Sequence, residues 1–334
     1  MMSGQARAYP VYAGRRRYFY YYSIDYGRCF VNLTLCFSGI FCYNIPYSDD
    51  LPAASGNRRY RMLSPKETAE RYVNIGRSKA ALPIGRMLVL GMLAGAFIAL
   101  AAVGANTALS TVTNPSLGKL AAACVFPGGL AMVLLAGSEL FTGNCLMVMP
   151  LLQGEIGWGG MLRNWLFVYI GNLLGSLLIV GLVCGGGQWG LFSGQLAVTT
   201  IKVAAGKTAL SFPAAFCLGV CCNFLVCIAV WISFAADSVG GKLAGLFFPI
   251  MLFVLAGFEH SVANMYYIPA GIVAAADPAY AALAAEAGVD ASGLTWGAFF
   301  LRNLLPVTLG NIVGGSILVG CSYWYSFLRP NKKN

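Results

Sequence analysis

Six apolar stretches set the limits on what this chain can fold into: roughly residues 83–110, 120–150, 159–184, 208–235, 243–273 and 295–327. The hydrocarbon core of a bilayer takes about 20 apolar residues per helix, so each stretch is long enough to cross. Only 10% of the residues are charged and 58% are hydrophobic, whereas a soluble domain carries about 25% charged residues. Such a chain has too little polar surface to face water on all sides. It reads as an all-α integral membrane protein with six transmembrane helices. The second and fifth stretches are too long for one simple helix, and each holds Gly, Asn and an acid near its middle.

The charges are unevenly spread. Residues 1–61 hold eight Arg and three acids (Asp25, Asp49, Asp50); without them, fourteen basic residues face nine acidic ones and the net charge falls from +10 to +5. Nucleic-acid binding is therefore a poor reading of the basic character. The segment "RRRYFYYYSIDYGRCFVNLTLCFSGIFCY" has charges inside it and no clean apolar core with a small-residue cleavage site, so it makes a poor signal peptide and a poor spanning helix. Residues 1–61 are expected to be an extension, disordered or translated upstream of the functional chain, and 62–334 the six-span domain. At Ser64-Pro65-Lys66-Glu67 a helix start with a capping box is expected.

Ten basic residues flank the amino-terminal part, the 151–163 and 236–242 loops and the tail, against Lys119, Lys202, Lys207 and Arg302 on the other side. The bias puts both termini in the cytoplasm of a multi-pass protein of the cell membrane. The eleven cysteines include no C-x-x-C pair and the chain has one histidine, so neither a metal site nor a cofactor is expected. The offset of Cys217 and Cys221 reads as small apolar side chains packing between helices rather than as a redox pair.

The stretches also repeat. "RNWLFVYIGNLLGSLLIVG" from Arg163 and "RNLLPVTLGNIVGGSILVG" from Arg302 share Arg-Asn, Gly-Asn and two further glycines at the same offsets. "GSELFTGN" (137–144) and "GFEHSVAN" (257–264) share Gly-x-Glu-x4-Asn. Spans 1–3 and 4–6 are thus two copies of one unit, and a three-span unit repeated in series inserts with opposite topology. In the resulting inverted 3+3 repeat, the middle span of each half breaks at Gly-x-Glu-x4-Asn. Irregular backbone at membrane depth has to be buried in protein or line a cavity. Glu139, Asn144, Glu259 and Asn264 read mainly as scaffold for the freed backbone groups, because the repeat duplicates them. The copies differ at His260 and Thr142.

"AGSELFTGN", "GFEHSVANMYYIPAGIV" and "NLLPVTLGNIVGG" resemble the formate/nitrite transporter family of pentameric anion channels, over about Ser64 to Leu328. The resemblance implies an aquaporin-like protomer of six spans with interrupted second and fifth helices, a pore in each protomer and a homopentamer. It places the family's central histidine at His260 and its loop threonine at Thr142. It puts apolar constrictions at Phe126, Leu130, Leu140 and Phe253, the vestibule lysine at Lys207, and pore-side asparagines at Asn223 and Asn311.

Chemistry agrees with that assignment. A bare anion crossing rings of Leu and Phe bears a large desolvation cost, and a neutral acid far less. Dry constrictions therefore suit a small weak acid that takes up a proton midway. Histidine, with an unperturbed pKa of about 6.5, exchanges protons near neutrality, and an ionisable group inside a membrane is a functional candidate by default. Glu259 is expected to hold the imidazole, Thr142 to offer a neutral donor, and Lys207 to concentrate anions at the mouth. The expected permeant is formate with protons, with nitrite or hydrosulfide as alternatives. An enzyme using the Glu-His pair lacks an accompanying nucleophile, metal cluster or nucleotide motif, and a neutral-solute pore lacks paired Asn-Pro-Ala breaks.

Overall fold

The computed structural model describes residues 62–330; the expectation for 1–61 lies outside the described residues. The first helix, α1 (Pro65–Ala80), opens with the anticipated capping box. Ser64 Oγ accepts from the Glu67 N–H at 3.3 Å while Glu67 Oε2 accepts from the Ser64 N–H at 2.8 Å, which pairs two donors a helix start otherwise leaves free. α2 (Ile84–Leu109) is the first span. α3 (Pro115–Val125) and α4 (Pro127–Ala136) run on as one span, and after a break the chain re-enters as α5 (Phe141–Asn144), a 3-10 turn (Cys145–Met147) and α6 (Val148–Leu152). α7 (Trp158–Gly185) is the third span.

The second half follows the same order: α8 (Gln195–Thr208), α9 (Phe212–Ala235), α10 (Val239–Ala256), a break, and α11 (Ser261–Ala275). α12 (Pro278–Glu286) leaves α11 at 101°. The last span, Ala298–Phe327, contains α13 (Leu305–Ile312) between two π-helical stretches and ends in α14 (Ser322–Phe327). All regular structure among the described residues is helical, with six helices long and apolar enough to cross a membrane. The interrupted second and fifth spans are as the repeat predicts. α8 was not anticipated. It is too short and too polar to register as a span, carrying Thr199, Thr200, Lys202 and Lys207, and it takes the place in the second half that α1 takes in the first.

Glycine brings the spans together within each half. A Cβ on Gly95 or Gly175 would overlap the backbone of Asn172 or Met92, locking α2 to α7. A Cβ on Gly310 or Gly314 would overlap Phe216 or Val220, locking α13 and the π-helical turn after it to α9. Gly91 and Gly171 also face each other across the α2–α7 crossing, so all four glycines of α2 and α7 pack backbone to backbone within the protomer. These close crossings hold the two breaks at the centre, where Glu139, Thr142, Asn144, Glu259, His260 and Asn264 are all buried.

Candidate functional site

Each break is a helix end that cannot continue. α4 stops at Gly137 (φ +78°) and α10 at Gly257 (φ +74°), both left-handed, a conformation that glycine adopts without a Cβ clash. In both, the next N–H turns back: Ser138 to Val133 O and Phe258 to Phe253 O, each at 3.0 Å. Three residues without regular structure follow, the last of them (Leu140, His260) extended, before the chain turns helical again at Phe141 and at Ser261.

The same latch closes both breaks, bond for bond. Asn172 Oδ1 accepts from the Phe141 N–H at 3.0 Å, and its Nδ2 donates to Gly91 O and Glu139 O. Asn311 Oδ1 accepts from the Ser261 N–H at 2.9 Å, and its Nδ2 donates to Gly219 O and Glu259 O. The glutamates are held alike. Lys79 Nζ meets Glu139 Oε1 at 2.7 Å and Asn144 donates to Oε2; Lys207 Nζ meets Glu259 Oε1 at 2.7 Å and Asn264 donates to Oε2. Asn164 and Asn303 complete the sets, accepting from Asn144 and Asn264 and donating to Lys79 O and Lys207 O. Burying a carboxylate this deeply demands a paired cation and filled lone pairs. Both glutamates have them.

The halves part company at the tips. His260, repeat-equivalent to Leu140, caps α11: its Nδ1 accepts from the Ala263 N–H at 3.0 Å, so the neutral ring carries its proton on Nε2. That Nε2 lies 2.9 Å from Thr142 Oγ1, the one side-chain hydrogen bond joining the tips of the two breaks among the described residues. The expected hold of Glu259 on the imidazole is not made. Its oxygens go to Lys207, Asn264 and Asn303, and backbone and threonine hold the ring instead.

Apolar side chains surround this region. The Phe253 ring stacks on His260 at 5.8 Å between centroids, and Phe126 meets Phe253 edge-on at 5.6 Å. Leu130 and Leu140 line a small cavity with Tyr72 and Lys79. Lys207 also stands 5.3 Å from the centre of the Tyr267 ring. Asn223 and Asn311 direct their amides at backbone: Asn223 donates to Thr142 O and Asn311 O. Lys79, Asn164, Asn172 and Asn303 went unnamed as site residues in the sequence reading. The repeat contained their signal, because Lys79 precedes Gly91 by the same twelve residues that separate Lys207 from Gly219.

Known proteins are similar to this chain over most of its length. The family described as "Formate/nitrite transporter" matches residues 66–325. A "Probable formate transporter" of Methanothermobacter thermautotrophicus is 40% identical over 287 residues, covering 80% of this chain and 97% of that one. "Formate channel FocA" of Escherichia coli (strain K12) is 38% identical over 276 residues, 81% of this chain and 97% of its own. Among solved structures, "Pentameric formate channel with formate bound" superposes with a TM-score of 0.66 at 34% identity, covering 74% of this chain and 98% of that one.

Proposed function

The chain belongs to the formate/nitrite transporter family, and from that premise we propose that it carries formate across the cell membrane as a homopentamer with a pore in each protomer. Both termini are cytoplasmic in this reading, and the constrictions are Leu130 with Leu140 on the inner side and Phe126 with Phe253 on the outer. Relatives named for formate at 38–40% identity favour this substrate. The carrying observation is the buried 2.9 Å Thr142–His260 contact, with the Phe253 ring stacked on the imidazole.

Formate enters as an anion; the Lys207 charge is already balanced by Glu259, so it orders the entrance rather than concentrating anions there. Between the constrictions it replaces the Thr142–His260 bond, taking the Thr142 hydroxyl and the Nε2–H as donors. To cross the next apolar layer it leaves as neutral formic acid, which lowers its desolvation cost. The imidazole can surrender its Nε2 proton only if Nδ1 gains one, and Nδ1 is engaged by the Ala263 N–H. Uptake of a solvent proton at Nδ1 therefore coincides with release of the α11 cap; the ring that has given its Nε2 proton to formate is neutral as the Nδ1–H tautomer, and the cap re-forms once Nδ1 has returned that proton to solvent and Nε2 has regained one.

The test is uptake into liposomes of formate, nitrite and hydrosulfide side by side, with His260→Asn as the variant. Asparagine is a good helix cap but does not titrate. Formate uptake in the parent should rise as external pH falls, and in H260N that dependence should vanish while the pentamer survives. A wild-type rate and pH profile in H260N would make the histidine scaffold and this mechanism wrong. Faster nitrite or hydrosulfide uptake than formate would move the substrate within the family.

A further inference from the structure

The carbonyls of the first broken helix are met by side chains one after another. Phe141 O accepts from Cys145 Sγ, Thr142 O from Asn223 and Cys227, Gly143 O from the Tyr72 hydroxyl at 3.0 Å, Asn144 O from Trp165 at 2.9 Å and Cys145 O from Ser316 at 2.9 Å. The 3-10 turn at Cys145–Met147 interrupts the regular ladder there. At the equivalent positions Ser261–Met265, α11 is continuous and none of its carbonyls receives a side chain among the described residues.

Tyr72 stands apart from the other donors. Cys145 lies within the broken segment itself, and the rest sit on spanning helices; Tyr72 lies on α1, which does not span. Its ring is 1% exposed and tilts against Phe234 at 5.7 Å. Lys79 ties α1 to the base of the break just as Lys207 ties α8, but only α1 also reaches the tip. The residue seven before Lys207 is Thr200, whose hydroxyl donates to Leu196 O in its own helix and accepts from Asn106.

We propose that Tyr72 is a positioning residue for selectivity: its hydroxyl, through the Gly143 carbonyl, sets where Thr142 stands opposite His260 and hence how well the site separates formate from larger carboxylates. The inference rests on the anion-channel reading above. Gly143 follows Thr142 directly, so a shift of that carbonyl moves the threonine. The other ties of α1 include the ion pairs Arg71–Asp237 and Arg77–Glu155, which are substantially exposed and hold it weakly.

The experiment is uptake of formate and acetate by pentamers in liposomes, comparing parent with Tyr72→Phe, which keeps the ring and removes the donor. The formate-to-acetate ratio should fall about two- to tenfold, the range one hydrogen bond commands. In a Thr142→Ala background, adding Y72F should leave the ratio unchanged, because the two act in series. A parent that carries no formate would sink the channel reading itself. A conducting parent with an unaltered ratio in Y72F, or an equal further drop in T142A, would overturn the positioning role. If Y72F does not assemble, Tyr72→Met fills the space with an adaptable side chain and should show the same drop. Assembly lost in both variants would assign the hydroxyl to folding and overturn the proposal.

Discussion

The break at Gly137–Asn144 and the break at Gly257–Asn264 begin as the same structure and end as different ones. Both open on a left-handed glycine, bind a lysine-paired glutamate and close on an asparagine from a neighbouring span. Past the glutamate they diverge. The first offers Leu140, then Thr142 on a four-residue helix whose carbonyls are taken by side chains; the second offers His260 as the cap of a fifteen-residue helix. The duplicated part answers a demand common to any broken helix in a membrane, namely that freed backbone groups find partners. The unduplicated part is where the His260 imidazole and the Thr142 hydroxyl meet. Duplication here marks scaffold, and departure from it marks the proposed chemistry.

The severest way to test that division is to cut the latch in each half separately. Asn172→Leu strands the Phe141 N–H and the Glu139 carbonyl; Asn311→Leu strands the Ser261 N–H and the Glu259 carbonyl. Each change should cost roughly 3 kcal/mol or more, since every buried unpaired group carries its own desolvation penalty. Pentamer yield and thermal stability should fall alike in the two variants. A collapse in one and indifference in the other would mean that the matching geometry does not carry matching weight.

Next in size come substitutions at the equivalent tip positions. H260N should abolish the pH dependence of formate uptake and leave assembly intact. Leu140→Asn puts the same side chain at the same repeat position, yet there it replaces part of the proposed apolar constriction, where Leu140 lines a small cavity. It should leave the pH dependence and loosen discrimination, so that acetate uptake rises relative to formate. If both variants lost their pH dependence, the proton would not be exchanged at the histidine alone. The Y72F comparison belongs at this level, with a shift in selectivity of about two- to tenfold.

The fold was legible because two periodicities were written into the chain at different scales. Apolar length located the spans, and the repeat of Gly-x-Glu-x4-Asn and Arg-Asn…Gly-Asn located the breaks and their partners. Hydropathy could not show α8, whose fourteen residues are too short and mixed to stand out, and so Lys207 appeared only as a vestibule charge and not as part of a helix. The partner of Glu259 was misjudged for a related reason. Adjacency in sequence suggested His260, but successive residues of extended backbone point to opposite sides, and Lys207 arrives from another helix to fill the lone pair. Tyr72 left no signal in the repeat, because its counterpart is a threonine with a different partner. The glycines of α2 and α7 were visible, but spacing alone does not say whether a close helix contact lies within a protomer or between two.

The mildest test concerns the two glycines that open the breaks. Gly137→Ala and Gly257→Ala each force a Cβ into the left-handed region, at a cost of roughly 1–2 kcal/mol for an L-residue. Space is not the obstacle. Nothing lies within 4 Å of the added carbon at Gly137, and at Gly257 the nearest atom is Lys119 Nζ at 3.4 Å, an ordinary contact with the end of a flexible side chain. Both variants should therefore lose a similar, small amount of thermal stability while keeping the pentamer. Each glycine ends its helix before the residues that bear the proposed chemistry, so the pH dependence of uptake should also persist in both. A much larger loss in G257A would show that Lys119 is held where it stands, giving the second break a cation for which the first has no equivalent. The symmetry of the two latches would then stop at Lys79 and Lys207 and not extend to the glycines above them.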